Sequence, residues 1–245
     1  MVVKLEERYL DFFQKDLAEL NIVLDEKQFN QFIVYYELLR EWNEVMNLTA
    51  ITDFDEVCKK HFIDSLSLVK AYDMNIRTSV IDVGTGAGFP GIPLKIAFPD
   101  LKITLLDSLK KRIGFLQNVI EKLQLDGMEV YHGRAEDYAK KKNFREQYDL
   151  CVSRAVANLS TLSEYCIPYV KTGGYFISYK SEKLTEEIKA AEKAIYLLGG
   201  RMEKQVEFQI PNSDIYRNLL VIYKEKETPA VYPRKAGIPS KKPIY

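Results

Sequence analysis

The chain has 245 residues, of which 47% are hydrophobic, and its 35 Lys and Arg balance 35 Asp and Glu, giving no net charge. This length can bury a sizeable core as one domain with an extension, so no disulfide or structural metal is needed. Three cysteines without a C-x-x-C spacing argue against a disulfide scaffold and a zinc knuckle. The charged N-terminus argues against a signal peptide, and the lack of an apolar run of 18 residues argues against a transmembrane helix. These features predict a reduced, soluble, cytoplasmic protein.

The balanced charge hides an asymmetry along the chain. Residues 1–75 carry 8 Lys and Arg against 15 Asp and Glu, so the remaining residues carry 27 against 20. The last 18 residues contain four basic side chains and no acidic one. A locally basic surface is compatible with an RNA partner.

Helical spacing of apolar residues predicts three helices in the N-terminal region. They cover residues 5–20, residues 26–46 after the candidate N-cap Asp25, and residues 56–71. We expect residues 1–75 to form an acidic helical cap.

Predicted strands and helices alternate from residue 76 onward. Strand candidates lie at 79–83, 102–106, 128–132, 148–153 and 174–180, with helices at about 91–97, 109–124, 158–169 and 183–198 between them. Two further strands, at 201–210 and 218–224, follow each other without a helix and predict an antiparallel hairpin. Prolines beyond Lys226 predict that residues 227–245 form an extended basic tail without regular structure.

The loop after the first predicted strand has glycine at every second position, in Asp82-Val83-Gly84-Thr85-Gly86-Ala87-Gly88. Glycine allows positive φ and close approach of a ligand, and a strand, glycine turn and helix bind nucleotide-like ligands in doubly wound sheets. A dinucleotide fingerprint would need glycine where Phe89 stands, and a nicotinamide domain would end in a sixth parallel strand rather than a hairpin. The spacing D-x-G-x-G-x-G instead resembles the first motif of methyltransferases that use S-adenosylmethionine (SAM).

These features together predict an α/β fold, a Rossmann-like class I SAM-dependent methyltransferase sheet over residues 76–226 that is mostly parallel with a C-terminal antiparallel hairpin. SAM is the predicted cofactor. The loop residues predicted to bind it are Asp82, Gly84, Gly86, Gly88 and Phe89. Asp82 would order the turn through backbone N–H groups or waters, with the capping of a helix by an acid at a strand end as the less favoured alternative.

Carboxylates after the second and third strands are candidates for contacts to the nucleoside. Asp107 ends the second strand, where a carboxylate would accept both ribose hydroxyls, or alternatively cap the next helix. After the third strand, Ala135 and Glu136, or Asp137, could supply the backbone N–H and the acceptor that adenine needs. An acidic first helical turn explains the same residues.

The fourth strand ends in Ser153-Arg154-Ala155-Val156, at the rim where methyl acceptors approach. It lacks the Asn/Asp-Pro-Pro-aromatic motif of base-amine methyltransferases, and Cys151 falls inside the strand as a small buried residue rather than at the acceptor. An acceptor with a free lone pair, such as guanine N7, needs neither device, because alignment and electrostatics suffice.

Arg154 and His61 are the candidate acceptor-orienting residues, and no general base is predicted. Arg154 could also hold the SAM carboxylate, and His61 could also be a satisfied packing histidine. The second histidine, His132, is distant in sequence and no third ligand stands at metal spacing, so no metal site is predicted.

These motifs, in this order, resemble the RsmG (GidB) family, bacterial methyltransferases of guanine N7 in 16S ribosomal RNA. The resemblance covers nearly the whole chain and is carried by Glu41-Trp42-Asn43, Asn47-Leu48-Thr49, His61-Phe62-x-Asp64-Ser65, the loop Asp82 to Gly91, Asp107-Ser108 with Lys111-Arg112, Arg134-Ala135-Glu136, Ser153-Arg154-Ala155-Val156 and Tyr232-Pro233-Arg234-Lys235-x-Gly237-x-Pro239. One departure is Thr85, where alanine also commonly stands in the family.

The resemblance implies that the acceptor is a guanosine in the 530 loop of 16S ribosomal RNA in the 30S subunit. The sequence carries no signal of oligomeric state, so a monomer is the default expectation, and the absence of a long apolar run predicts no membrane partner. It implies contacts to SAM from Gly84, Phe89, Ala135, Glu136 and Arg154, with Asp107 at the ribose. It implies RNA contacts from Lys111, Arg112, Arg134, Arg234 and Lys235.

Two alternative functions are also compatible with the sequence. A small-molecule or protein methyltransferase is disfavoured by the basic tail and the RNA-type motifs. A SAM-binding ribosome-assembly factor that binds ribosomal RNA without catalysis is disfavoured by the intact glycine loop and by Asp107.

Overall fold

The computed structural model describes residues 7–74, 78–154, 157–181 and 184–245. Its strands are β1 (Ser79–Val83), β2 (Lys102–Asp107), β3 (Met128–His132), β4 (Tyr148–Arg154), β5 (Val170–Lys180), β6 (Gly200–Gln209) and β7 (Tyr216–Lys224). Its α-helices are α1 (Glu7–Glu19), α2 (Glu26–Met46), α3 (Phe54–Val57), α4 (Asp64–Leu66), α5 (Gly91–Ala97), α6 (Lys110–Leu123), α7 (Ala135–Tyr138), α8 (Leu159–Cys166), α9 (Thr185–Leu197) and α10 (Ile238–Lys241).

Across the described ranges the strands form one sheet in the order β3-β2-β1-β4-β5-β7-β6. Strands β1 to β5 are parallel, and β7 inserts antiparallel between β5 and β6. The predicted α/β fold, with a mostly parallel sheet and a C-terminal antiparallel hairpin, is therefore confirmed. The order reverses between β1 and β4, which places a crevice at the carboxyl ends of the central strands.

Alternate residues of each strand face two separate cores, as the two-residue period of a strand requires. Val80 packs with α1 to α6, whereas Ile81 packs with α7 to α9 on the other face. The acidic N-terminal helices thus share one core with the sheet. None of the described helices is long and apolar enough to cross a bilayer.

Two side-chain amides of helix α2 donate hydrogen bonds to backbone carbonyl groups at the ends of α5 and α6. Gln28 Nε2 donates to Ile96 O and Ala97 O at the end of α5, and Gln31 Nε2 donates to Leu123 O at the end of α6. Asp25 caps α2 as predicted, because its carboxylate accepts from Gln28 N in a reciprocal capping box.

The prediction of a regular third helix over residues 56–71 is wrong. A π-helical turn over Cys58–Ile63 lies between α3 and α4, and a 3₁₀ turn over Ser67–Lys70 follows. Serine hydroxyls compete for the carbonyls of this segment, since Ser65 Oγ donates to His61 O. Such π-helical turns occur often at functional sites, and this one carries His61.

Strand β5 begins at Val170, four residues before the predicted start. Its register against β4 shifts between Tyr148 and Leu150, and Gly173 in the shifted stretch has a φ of 89°. Glycine interrupts the apolar pattern from which strands are predicted, although the backbone continues as a bulged strand.

The predicted tail without regular structure is also wrong. Residues 238–241 form the single turn α10, and the segment before it folds back onto the protein. Arg145 holds it by donating to Thr228 O and Tyr232 O, at 2.6 and 2.8 Å. Prolines are compatible with the first turn of a helix, where no N–H bond is lost.

Of the predicted elements, Leu5, Ala155, Val156 and the start of the helix at residue 183 lie outside the described residues.

Candidate active site

The glycine loop at the end of β1 is ordered by Asp82, which is fully buried. Its Oδ2 accepts from Gly91 N at 2.9 Å and from Thr85 Oγ1 at 2.6 Å. Its Oδ1 has no hydrogen-bond partner among the described residues. Burial raises the pKa of Asp82 to about 6, because the charged form is desolvated. Asp82 thus organises the loop from beneath.

Two glycines of this loop have different physical roles. Gly88 has a φ of 98°, and a Cβ there would lie 2.4 Å from Ile92 Cδ1 and 2.9 Å from the hydroxyl of Tyr35. That hydroxyl donates to Ala87 O, so α2 supports the loop directly. A Cβ at Gly86, with a φ of 65°, would meet only the Arg112 guanidinium, at 3.9 Å. Gly88 is therefore required by packing, whereas Gly86 faces open space.

Asp107 ends β2 opposite the glycine loop and is buried. Its Oδ2 accepts from Gly86 N at 2.9 Å, and its Oδ1 accepts from Leu109 N at 2.8 Å. Arg112 Nη1 lies 3.1 Å from Oδ2. A carboxylate has about four acceptor positions, so this arrangement holds the group in place and leaves capacity for a ligand hydroxyl.

A cavity of about 450 Å³ opens over these residues, within the range of about 300–1,000 Å³ typical of small-molecule sites. We call it the cofactor cavity. It is lined by Leu48, Thr49, His61, Gly84, Thr85, Gly86, Ala87, Phe89, Asp107, Ser108, Leu109, Arg112 and Arg154. A fixed carboxylate, an open glycine backbone and a cation at one end match the ribose and the amino acid part of SAM. The cavity therefore fits this cofactor.

A larger cavity of about 720 Å³ lies elsewhere, beside Lys95, Leu101 and Gly127. It sits at the amino ends of the strands, whereas ligands of open α/β sheets bind at the carboxyl ends. The Lys95 ammonium already donates to Pro99 O and Leu101 O. We place the active site in the smaller cavity for these reasons.

His61 and Arg154 meet at the wall of the cofactor cavity. Arg154 Nη2 lies 3.3 Å from His61 Nδ1, and Thr49 Oγ1 lies 2.8 Å from His61 Nε2. The His61 ring stacks on the Phe89 ring with centroids 4.5 Å apart, and the Arg154 guanidinium lies 5.0 Å from the centroid of the Phe89 ring. Burial and the charge of Arg154 lower the pKa of His61 to about 3.

Behind this wall, Asp64 bridges two arginines. Its Oδ2 accepts from Arg154 Nη1 at 2.9 Å, and its Oδ1 accepts from Arg217 Nε at 2.8 Å. The Asp64 side chain is only 4% exposed. A buried carboxylate shared by two guanidinium groups fixes the position of Arg154.

The residues predicted at the adenine follow β3, beside Asp107. Gly133 N donates to Asp107 O at 3.0 Å, and Tyr169 hydroxyl donates to Ala135 O at 2.6 Å. Glu136 is buried, and its Oε1 accepts from Gly237 N in the C-terminal segment at 2.8 Å. Ala135 and Glu136 are not among the residues that line the cofactor cavity.

The five predicted RNA contacts fall into two groups. Lys111, Arg134 and Lys235 are exposed. Arg112 is paired with Asp107, and Arg234 donates to the buried carboxylate of Glu164 through Nε at 3.0 Å and Nη2 at 2.6 Å.

Sequence reasoning gave no role to Thr49, Asp64 or Arg217 in the site. Thr49 and Asp64 lie in family motifs, which was the available signal. Arg217 lies in a strand 153 residues from Asp64, and nothing local marks that contact.

Comparisons with known proteins agree with this geometry. The family model described as GidB, rRNA small subunit methyltransferase G, matches residues 28–216. The chain is 54% identical to Ribosomal RNA small subunit methyltransferase G of Lachnoclostridium phytofermentans, over 95% of this chain and 96% of that one. It is 48% identical to the protein of the same name from Clostridium novyi, over 98% of both chains.

Solved structures are similar in fold at low identity. One is a chain of the complex between the Haloferax volcanii Trm112 methyltransferase activator and a methyltransferase, with a TM-score of 0.55 and 13% identity over 77% of this chain and 98% of that one. Another is TYW2 of Pyrococcus horikoshii in complex with MeSAdo, with a TM-score of 0.53 and 15% identity over 67% and 63%. The predicted class I methyltransferase fold is thus confirmed.

Proposed function

The chain belongs to the GidB family of ribosomal RNA small subunit methyltransferases, and we propose that it methylates N7 of a guanosine in the 530 loop of 16S ribosomal RNA. It is a SAM-dependent enzyme. We propose the 30S subunit as its partner, the cytoplasm as its location and a monomer as its working form.

One observation supports N7 as the acceptor atom: the described rim of β4 offers no group that would activate a weaker nucleophile. Ser153 Oγ donates to Val83 O at 2.7 Å, so this hydroxyl is engaged. Cys151 is buried in the strand, and burial raises the pKa of its thiol. His61 stays neutral, with Nδ1 already bound. An acceptor that brings its own lone pair needs none of these.

When bound, SAM would supply an electrophilic methyl group; the N7 lone pair would form the new bond while the carbon–sulfur bonding pair would stay with sulfur, so that the positive charge would pass to the purine. The protein's part is to hold and align. Asp107 and the glycine loop would bind the nucleoside, while Phe89 and Arg154 form the wall on the side of the acceptor. Alignment of this kind is worth several orders of magnitude in rate.

We propose that the exposed side chains Lys111, Arg134 and Lys235 contact RNA phosphates. Arg112 and Arg234, which hold ion pairs, would support the same surface from within. Ala135 and Glu136 would border the adenine. Their position directly after β3, next to Asp107, supports this assignment.

The test is transfer of labelled methyl groups from SAM to 30S particles that lack the modification. Reduction with borohydride followed by aniline cleaves RNA at 7-methylguanosine, so the cut maps the modified base. We expect one cut in the 530 loop. SAM binding without transfer would identify a non-catalytic assembly factor instead, and a cut elsewhere would overturn the site.

A further inference from the structure

A second cavity of about 510 Å³ adjoins the cofactor cavity, and His61 and Arg154 line both. Its described lining is Ile51, Lys60, His61, Asp64, Arg154, Tyr179, Lys180, Ser181, Leu184, Glu187 and Arg217. We propose that this cavity, the acceptor cavity, receives the target guanine and that Glu187 recognises the N1–H and N2–H₂ groups of that base. The inference rests on the proposed function.

The order of the strands supports the position. Along the carboxyl edge of the sheet, Asp107 of β2 and the glycine loop of β1 are followed by Arg154 of β4 and then by Lys180 of β5. The cofactor cavity lies beside Asp107 and the glycine loop, and the acceptor cavity lies beside Arg154 and Lys180. The two cavities therefore meet at His61 and Arg154, which line both of them.

Glu187 is held in a fixed orientation by two donors. Its Oε1 accepts from Lys180 Nζ and from Leu159 N, each at 2.6 Å, while Lys180 also donates to Ala157 O. The Glu187 side chain is 25% exposed. Among the described residues, the hydrogen bonds to this carboxylate all go to Oε1, so Oε2 is the oxygen that faces a ligand.

The other carboxylate of the acceptor cavity is committed elsewhere. Both oxygens of Asp64 accept from arginines, Arg154 and Arg217. Among the described lining residues this leaves Glu187 as the acidic group that can accept from a substrate.

A carboxylate at this position selects guanine over adenine. Guanine presents N–H donors at N1 and N2, whereas adenine presents an acceptor at N1, which a carboxylate repels. Extruded bases are read through this edge, and a polar site rejects an analogue that leaves its groups unpaired. Because N7 lies on the opposite side of the purine from N1 and N2, a base held at Glu187 presents N7 away from that carboxylate.

The same carboxylate also favours the reaction. Methylation at N7 leaves a positive charge on the purine, and the N1–H and N2–H₂ groups become stronger donors. A preorganised negative group bonded to them stabilises the transition state more than the ground state. Lys180 acts through Glu187 as a positioning residue.

The test compares wild type, Glu187→Gln and the neighbouring exposed control Glu186→Gln, with 30S particles as substrate. Glutamine keeps an acceptor for Lys180 and Leu159 N but places an NH₂ group at the guanine donors. We expect Glu187→Gln to lower kcat/KM by roughly 10-fold to 100-fold, with the Kd for SAM changed less than twofold. Glu186→Gln should match wild type. Wild-type transfer by Glu187→Gln would overturn the inference.

A change of substrate tests the same contact without a variant. In 30S particles reconstituted with inosine at the acceptor, which lacks the N2 amine, wild type should lose roughly 10-fold in kcat/KM, and Glu187→Gln should lose much less. Equal transfer by wild type to guanosine and inosine overturns the role of Glu187 alone. No transfer by wild type to unsubstituted particles overturns the proposed function and the inference with it.

Discussion

Arg154 Nη2 lies 3.3 Å from His61 Nδ1, and this contact determines the protonation of the histidine. A guanidinium can only donate, so this contact favours the tautomer in which Nδ1 accepts and Nε2 carries the ring proton, 2.8 Å from Thr49 Oγ1. His61 is thus a neutral residue at the boundary where the two cavities meet. With Nδ1 occupied, it has no free basic nitrogen for proton transfer.

This environment predicts a pH dependence of folding stability. Burial, reinforced by Arg154, lowers the pKa of His61 to about 3, whereas the unfolded chain binds this proton below about pH 6.5. The group therefore contributes stability that is present above pH 6.5 and is lost as pH falls toward 3. In His61→Gln, the pH slope of the urea unfolding free energy should be smaller by up to about 1.4 kcal/mol per pH unit. Identical slopes in both proteins would contradict the assignment.

The pKa of Asp82 predicts a pH dependence of folding stability with the opposite sign. Burial raises its pKa to about 6, so the folded state keeps a proton that the unfolded state has released above about pH 3.9. Its contribution to stability is full below pH 3.9 and is lost as pH rises through 6. Asp82→Asn retains an acceptor for Gly91 N and Thr85 Oγ1, so at pH 8 it should equal or exceed wild type in unfolding free energy. The exposed control Asp126→Asn should keep the wild-type slope, and a severely destabilised Asp82→Asn would disprove this account.

Asp107→Ala should weaken SAM binding. The substitution removes the proposed ribose acceptor and leaves Gly86 N, Leu109 N and Arg112 without their partner. Loss of a hydrogen-bonded charged group costs about 1.5–3 kcal/mol, or roughly 10-fold to 100-fold in Kd. Titration calorimetry with SAM measures the effect, and the exposed Asp100→Ala serves as control. Equal affinities in wild type and Asp107→Ala would remove the ribose assignment.

Arg234→Ala should destabilise the protein. The Glu164 carboxylate is 1% exposed and accepts from Arg234 through its backbone N, Nε and Nη2. Removing the guanidinium leaves a buried charge whose remaining donor among the described residues is Arg234 N, at a cost of about 3 kcal/mol in unfolding free energy. Lys235→Ala should change it by less than about 0.5 kcal/mol. Denaturant unfolding measures the unfolding free energy of both variants. Equal values for Arg234→Ala and Lys235→Ala would show that the ion pair contributes nothing.

Lys235→Ala should instead affect RNA binding. Each phosphate contact that is lost lowers the slope of log affinity against log salt by about 1. Filter binding of 16S ribosomal RNA between about 50 and 200 mM salt measures this slope. Lys111→Ala and Arg134→Ala should behave alike, and the exposed Lys189→Ala on α9 is the control. Unchanged slopes in the first three variants would place the RNA elsewhere.

Several features of the fold followed from local pattern. The boundaries of β1, β3 and α5 agree with the predicted ranges, because glycine or proline stands just beyond their ends. The glycine loop and Asp107 could be assigned to one edge of the sheet, since the carboxyl ends of parallel strands meet there. The π-helical turn at His61 could not be predicted, because hydroxyl competition for carbonyls leaves the hydrophobic period unchanged.

The sequence by itself determined the class of fold, the cofactor and the family, because these are expressed in spacings of a few residues. Only the tertiary structure decided which charged side chains form buried ion pairs. Asp64 meets Arg154 and Arg217 from 90 and 153 residues away, and Arg234 of a basic segment closes on the buried Glu164. Such pairs depend on the packing of distant elements, and local periodicity carries no information about them.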